Sequence, residues 1–277
     1  MSAVAEHTAT PVPASSHGRV TQWNVLRSEW TKVWSLRSTR WSLLAAVVSM
    51  AGLGMVIAAF RMGHWSQLSA EERARYDPID NGVGGYHLAQ LAIGVLGVLV
   101  ISGEYATGMI RSSFMAVPHR LPVLWAKALV FAALTFVLML VSSLISFFGV
   151  QTIVSQRNVQ ASLSDPHALR VVVGTALFLT ALGVLAVGIG GLVRSTAGGI
   201  AVFVGLLFVL PGITALLPSS VGDAISPYLP LSAGFAVATS TFDNSHHLAP
   251  WTGFAVFCAY AAIAMAAAAV GLVRRDA

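Results

Sequence analysis

Charged side chains are scarce in this chain. They make up 10% of its 277 residues, where soluble domains carry about 25%. The deficit excludes an ordinary soluble domain, because no single soluble core would hide the matching excess of apolar surface. Cysteine occurs once, at Cys258, which excludes an intramolecular disulfide and a cysteine-based metal cluster. There is no GxxxxGK[ST] loop, so the chain lacks that device for binding and hydrolysing ATP. HExxH and GxSxG are missing too, and no His or Cys cluster has ligand spacing. The pair His246-His247 is adjacent rather than four residues apart and reads as a solvated loop, not a metal site. These absences leave no catalytic constellation. Nor does any apolar run carry a carboxylate at its middle, as proton- or ion-coupled carriers do. His87, near the start of one run, is the sole approach to that pattern.

What is present is apolar residues, at 56%, with a mean hydropathy of +0.76. They gather into six runs, at about 41–60, 86–102, 123–150, 171–193, 197–217 and 250–273. Each has roughly the 17–25 residues that cross about 30 Å of hydrocarbon at 1.5 Å per residue. The runs are continuous and do not alternate with period two, which excludes a β-barrel. The expected fold class is all-α, a polytopic membrane protein of six transmembrane helices. Residues 20–277 form one transmembrane domain. Residues 1–19, polar and rich in Ala, Pro, Ser and Thr, read as a disordered tail without the apolar core of a cleaved signal peptide.

The formal net charge is +5. Nucleic acid is rejected as its partner, because the cations stand at the ends of apolar runs, where they mark orientation in a bilayer. With six crossings, eleven of the 16 Lys and Arg share the side of the N-terminus, and residues 218–249 hold none. Both termini are therefore expected in the cytoplasm. Arg61, Arg73 and Arg75 fall on the outer side, in a loop shared with Glu71, Glu72, Asp77 and Asp80.

The segments between the runs carry their own signals. From Val20 to Arg40, the residues Trp23, Leu26, Trp30, Val33 and Trp34 recur at three- and four-residue steps, interleaved with Arg27, Lys32 and Arg37. On a helix this gives an aromatic-apolar face and a basic face, suited to the membrane interface and anionic lipid. Glu29 and Lys32 are spaced for a weak i,i+3 pair. Two readings stay open for this helix: an anchor alone, or an anchor that also touches a cytoplasmic partner. Asp165-Pro166 reads as an N-cap and first helical residue. Arg194-Ser195-Thr196 reads as a tight turn between the fourth and fifth runs. The glycines of those two runs suit close helix packing, within the subunit or between subunits. The segment 218–249 has proline breakers, and its apolar stretch 224–238 is too short to cross, so short re-entrant or interfacial helices are expected there.

The sequence Gly103-Glu104-Tyr105-Ala106-Thr107-Gly108-Met109-Ile110-Arg111 follows the second run, with Pro118-His119-Arg120 and Lys127 beyond it. Gly103 is expected to break the run, and a short helix to begin near Glu104 and reach Met109 or Ser112. There Glu104 would favour the helix dipole, and Lys127 would snorkel to the same plane. Glu104 reads as a charge that stops a span, or as part of a helix that docks a soluble partner.

This segment, with Arg27-Ser28-Glu29-Trp30-Thr31-Lys32 before the first run and Ser226-Pro227-Tyr228-Leu229-Pro230-Leu231-Ser232-Ala233-Gly234 before the last, resembles type-2 ABC transporter permeases of actinobacteria. The resemblance covers nearly the whole chain, although position 109 is Met where the family more often has Thr. It implies a permease subunit of an ATP-driven exporter in the bacterial cell membrane, moving a drug, antibiotic, peptide or lipid. The expected partners are a second permease subunit, as in a homodimer, two copies of a soluble ABC ATPase, and lipid. No cofactor is expected on this chain; ATP and Mg would belong to the ATPase. Glu104, Tyr105, Thr107, Gly108, Met109 and Arg111 would form the coupling helix, and Trp23, Arg27, Glu29, Trp30, Lys32 and Trp34 the interfacial helix. The alternative is a non-transport membrane scaffold or assembly factor.

Overall fold

The computed structural model describes residues 21–35, 37–109, 120–240 and 248–274, and all regular structure among them is helical. The expected tail at 1–19, Arg111, Pro118-His119, His246-His247 and Arg275 lie outside the described residues.

Helix α1 (Gln22–Ser35) comes first, then α2 (Arg37–Gly63), the first span. Two short helices, α3 (Ala70–Ala74) and α4 (Pro78–Gly82), form the following loop. Local chemistry starts both. Ser69 and Glu72 make a reciprocal capping box on α3, and the Asp77 carboxylate caps α4 ahead of Pro78. The second span is α5 (Tyr86–Ala106) and the third α6 (Arg120–Val154). The fourth is α7 (Ala168–Val193), followed by α8 (Thr196–Thr214) as the fifth. Short helices α9 (Ser219–Ile225) and α10 (Pro230–Phe235) precede the sixth span, α11 (Pro250–Arg274). All six spans are long and apolar enough to cross a membrane.

The spans outrun their apolar cores because helical hydrogen bonding continues through polar flanking turns. One boundary matters for function. Gly103 does not break the second span, and helix continues to Ala106. Glycine costs a helix interior only about 1 kcal/mol, which tertiary contacts offset. The fifth span ends at Thr214, earlier than expected. Its turn Gly205–Val209 is π-helical. Pro211 follows directly, and its missing N–H removes the regular bond to the Leu207 carbonyl, so the ladder widens upstream.

Span α7 is the most enclosed and forms the hub of the bundle, against α5, α6 and α11. Its small residues pack within the chain: Gly190 lies against the Val98 backbone of α5, and Gly188 against Ala264 of α11. At Gly85 a Cβ would fall 1.9 Å from the Met50 carbonyl oxygen, so α2 and the start of α5 meet at backbone contact. The N-cap reading of Asp165 is corrected. Helix α7 begins at Ala168 behind His167 with φ 72°, while the Asp165 carboxylate accepts from the Ser162 amide at 2.8 Å. The Asp165 side chain closes its own turn instead.

The two ends of the bundle differ. One gathers α1, the end of α5, the start of α6 and the turn Arg194-Ser195-Thr196; we call it the basic end. The other is roofed by α4, α10 and the residues up to Ser240; it is the capped end. The short helices expected between 224 and 238 are the roof.

Candidate functional site

Four charged residues meet at the basic end. The Lys127 ammonium donates to Glu29 Oε2 and to Glu104 Oε1, each at 2.6 Å. Lys32 donates to Glu29 Oε1 at 2.7 Å and to Glu104 Oε1 at 3.0 Å. The result is a closed ring of two carboxylates and two ammonium groups with no net charge. Its members come from α1, α5 and α6. The side chains of Lys127, Glu29 and Glu104 are only 2%, 5% and 6% exposed. The second Glu104 oxygen, Oε2, is buried without a hydrogen-bond partner.

The three most buried members, Glu29, Glu104 and Lys127, are costly in their places alone. Glu104 lies in the last turn of α5, where the helix dipole is negative. Desolvation of each charge costs several kcal/mol. Only mutual pairing offsets these terms, so the ring stands or falls as a unit. For Lys32, burial works to lower the pKa; hydrogen bonds and attraction from Glu29 and Glu104 outweigh it and hold the ammonium above its ordinary 10.5.

The apolar frame explains why Glu29 points inward. Val25, Glu29 and Val33 recur every four residues and form the buried stripe of α1. Val25 packs with Val123 and Ala126 of α6. The tryptophans turn away: Trp23 is 73% exposed, and Trp30 and Trp34 make an edge contact at 5.8 Å on the outer surface. Arg27 is exposed as well. This leaves an aromatic and basic surface around a helix clamped to the bundle from beneath.

Beyond the ring, the chain leaves the second span in a tight turn. Thr107 caps the helix through its hydroxyl, which donates to the Gly103 carbonyl at 3.0 Å. Gly108 has φ +70°, the left-handed conformation that ends helices at little cost to glycine. Met109 is exposed at the tip. Tyr105 turns back to the bundle, with the Arg194 guanidinium 5.2 Å above its ring. Arg194 also donates to the Gly271 carbonyl of α11 at 2.7 Å, and Ser102 pairs with Thr196 of α8 at 3.1 Å. The end of α5 is therefore tied to α1, α6 and α8 and to Arg194 at the end of α7, which in turn holds α11.

The chain matches no family model, and no curated protein is significantly similar to it.

Glu104 does not open a short docking helix. It closes a span, turned inward. Nor does Lys127 snorkel toward water, since both carboxylates hold it inside. The Glu29–Lys32 pair is present, but as one edge of a larger ring rather than a surface pair. Of the expected coupling residues, Glu104 and Tyr105 are anchors, Thr107 and Gly108 form an exposed exit turn, and Met109 follows it, exposed as well; Arg111 lies outside the described residues. The buried role of Glu29 was readable from its place midway between Val25 and Val33. Its partnership with Lys127, 98 positions away, left no local mark.

Proposed function

We propose that this chain is the membrane-spanning subunit of an ATP-driven exporter of the type-2 ABC kind, worked by a soluble ATPase at its basic end. The reading places that end in the cytoplasm of a bacterial cell, with both termini inside. It pairs two copies of the chain with two ATPases, which hold ATP and Mg. The cargo is hydrophobic or amphipathic, in the class of drugs, antibiotics, peptides or lipids.

One observation carries the reading. The ring of Glu29, Lys32, Glu104 and Lys127 joins the interfacial helix, the end of the second span and the start of the third into one unit. Span α5 ends and span α6 begins beside that unit, so the residues joining the two spans are attached to it through the chain at both ends. A push on those residues moves three helices together rather than bending one. A chain with no ATP-binding loop of its own needs such a handle. Buried ion pairs resist shear because separating them leaves bare charges in a poor dielectric.

The test uses the full chain carrying Met109→Cys in a Cys258→Ala background, co-expressed with the ATPase encoded beside it. A short bifunctional thiol reagent is expected to cross-link position 109 to the ATPase, and the assembly to hydrolyse ATP faster than the ATPase alone. Absence of both a cross-link and a co-purifying ATPase overturns the reading.

A further inference from the structure

At the capped end a cavity of about 440 Å³ opens between α5, α8 and α10, within the usual range for sites that enclose small ligands. Tyr86, His87 and Gln90 of α5, Phe208 of α8, and Leu231 and Phe235 of α10 line it. Tyr86 and Phe235 stack at 4.3 Å and make an aromatic wall. Gln90 is 4% exposed, and its carboxamide oxygen is buried with no hydrogen-bond partner. An unpaired buried amide is costly, and native proteins keep few of them. Phe208 sits in the π-helical turn Gly205–Val209, and such turns are frequent at functional sites. Among the described residues, no Asp, Glu, Lys or Arg lines the space. The nearby Asp80 carboxylate is engaged by the Thr239 hydroxyl at 2.9 Å and the Ser240 amide at 2.6 Å.

We infer that this cavity binds a small neutral amphiphile, its apolar body against Phe208, Leu231 and the Tyr86–Phe235 wall, and its hydroxyl or amide paired with the Gln90 carboxamide. With no Asp, Glu, Lys or Arg among the described lining residues, ionic headgroups are disfavoured, since a charge brought there would lose its hydration without a counter-ion from them. The carboxamide both accepts and donates, which suits an alcohol, a primary amide or a glyceride hydroxyl. Gln90 lies fourteen residues before Glu104 on the same helix, about 21 Å away at 1.5 Å per residue. The inference therefore does not rest on the proposed ATPase partner.

The full chain in phosphatidylcholine–phosphatidylglycerol nanodiscs is photolabelled with a diazirine-bearing octanol, and labelled peptides are mapped by mass spectrometry. A parallel sample carries a diazirine monoacylglycerol in the bilayer, which separates a lipid source from a water-borne one. Saturable labelling by either probe at Tyr86–Gln90, the Phe208 turn and Leu231–Phe235 is expected. Gln90→Leu should raise the half-saturating concentration roughly tenfold, the equivalent of about 1.4 kcal/mol for a lost hydrogen bond. Ala236→Trp, which fills the space while leaving Gln90 in place, should abolish labelling, with folding checked by unchanged melting. Equal labelling by a diazirine octane lacking the hydroxyl overturns the inference. So does a Gln90→Leu chain that labels as the parent does, or a folded Ala236→Trp chain that still labels.

Discussion

The two ends of this bundle solve the same problem, holding helix ends together at the membrane boundary, with opposite chemistry. At the basic end, four full charges on long side chains from three helices close a buried ring. At the capped end, side chains bond mostly to backbone. Asp80 accepts from the Ser240 amide, Gln151 donates to the Pro78 carbonyl, and Arg170 donates to the Val237 carbonyl. Ser240 also donates to Asp77. A ring of paired charges is all-or-none: one deletion strands the others. A set of hydrogen bonds to backbone fails piecemeal, each loss costing little. The first arrangement suits a part that moves as a block, the second a roof over a cavity that can open locally.

Lys127→Met breaks this contrast most sharply. It leaves Glu29 and Glu104 sharing Lys32 alone, and the expected loss is about 3–5 kcal/mol, as for a buried pair robbed of one partner. Thermal unfolding in micelles, followed by tryptophan fluorescence, reads it. A double-mutant cycle of Glu29→Gln and Lys127→Met sharpens the point, with an expected coupling of about 1–3 kcal/mol. Additive losses would mean that the ring is not a unit.

At the capped end, Asp80→Ala is expected to cost about 1–2 kcal/mol, the net worth of the hydrogen bonds it receives. Hydrogen exchange should quicken in residues 230–240 and leave α1 unchanged. Uniform quickening over the chain would contradict local failure.

Alkaline titration gives a smaller effect. The Lys32 pKa is raised above 10.5 in the folded chain, so its contribution is fully present below that value and is lost as pH rises through the folded one. Stability should carry an added decline on the alkaline side of 10.5 that Lys32→Met removes. The least effect belongs to Gln90→Leu, which deletes an unpaired buried polar group and is expected to leave melting unchanged or slightly raised.

The contrast also tracks what was legible. The ring residues drew notice as charges beside apolar runs, but their joint role did not, because Glu29, Glu104 and Lys127 come together only when three helices align. The capped end was legible as short helices and proline breaks. Its fastenings, Asp77 and Asp80 to Ser240, join residues about 160 positions apart and have no periodicity to betray them. The Asp165 N-cap failed for a local reason: a side chain able to cap a helix is equally able to close a turn.

By itself the sequence determined the all-α class, the six membrane-crossing helices, the turn at Arg194-Ser195-Thr196 and the amphipathic character of the first helix. Each follows from run length or from the 3.6-residue period, which are properties of neighbours along the chain. Only the tertiary structure decided that Gly103 lies within a helix, that Glu104 faces inward, and that Lys127 is clasped rather than snorkelling. Those outcomes turn on whether a charge finds its opposite inside the bundle, and that depends on how the helices pack.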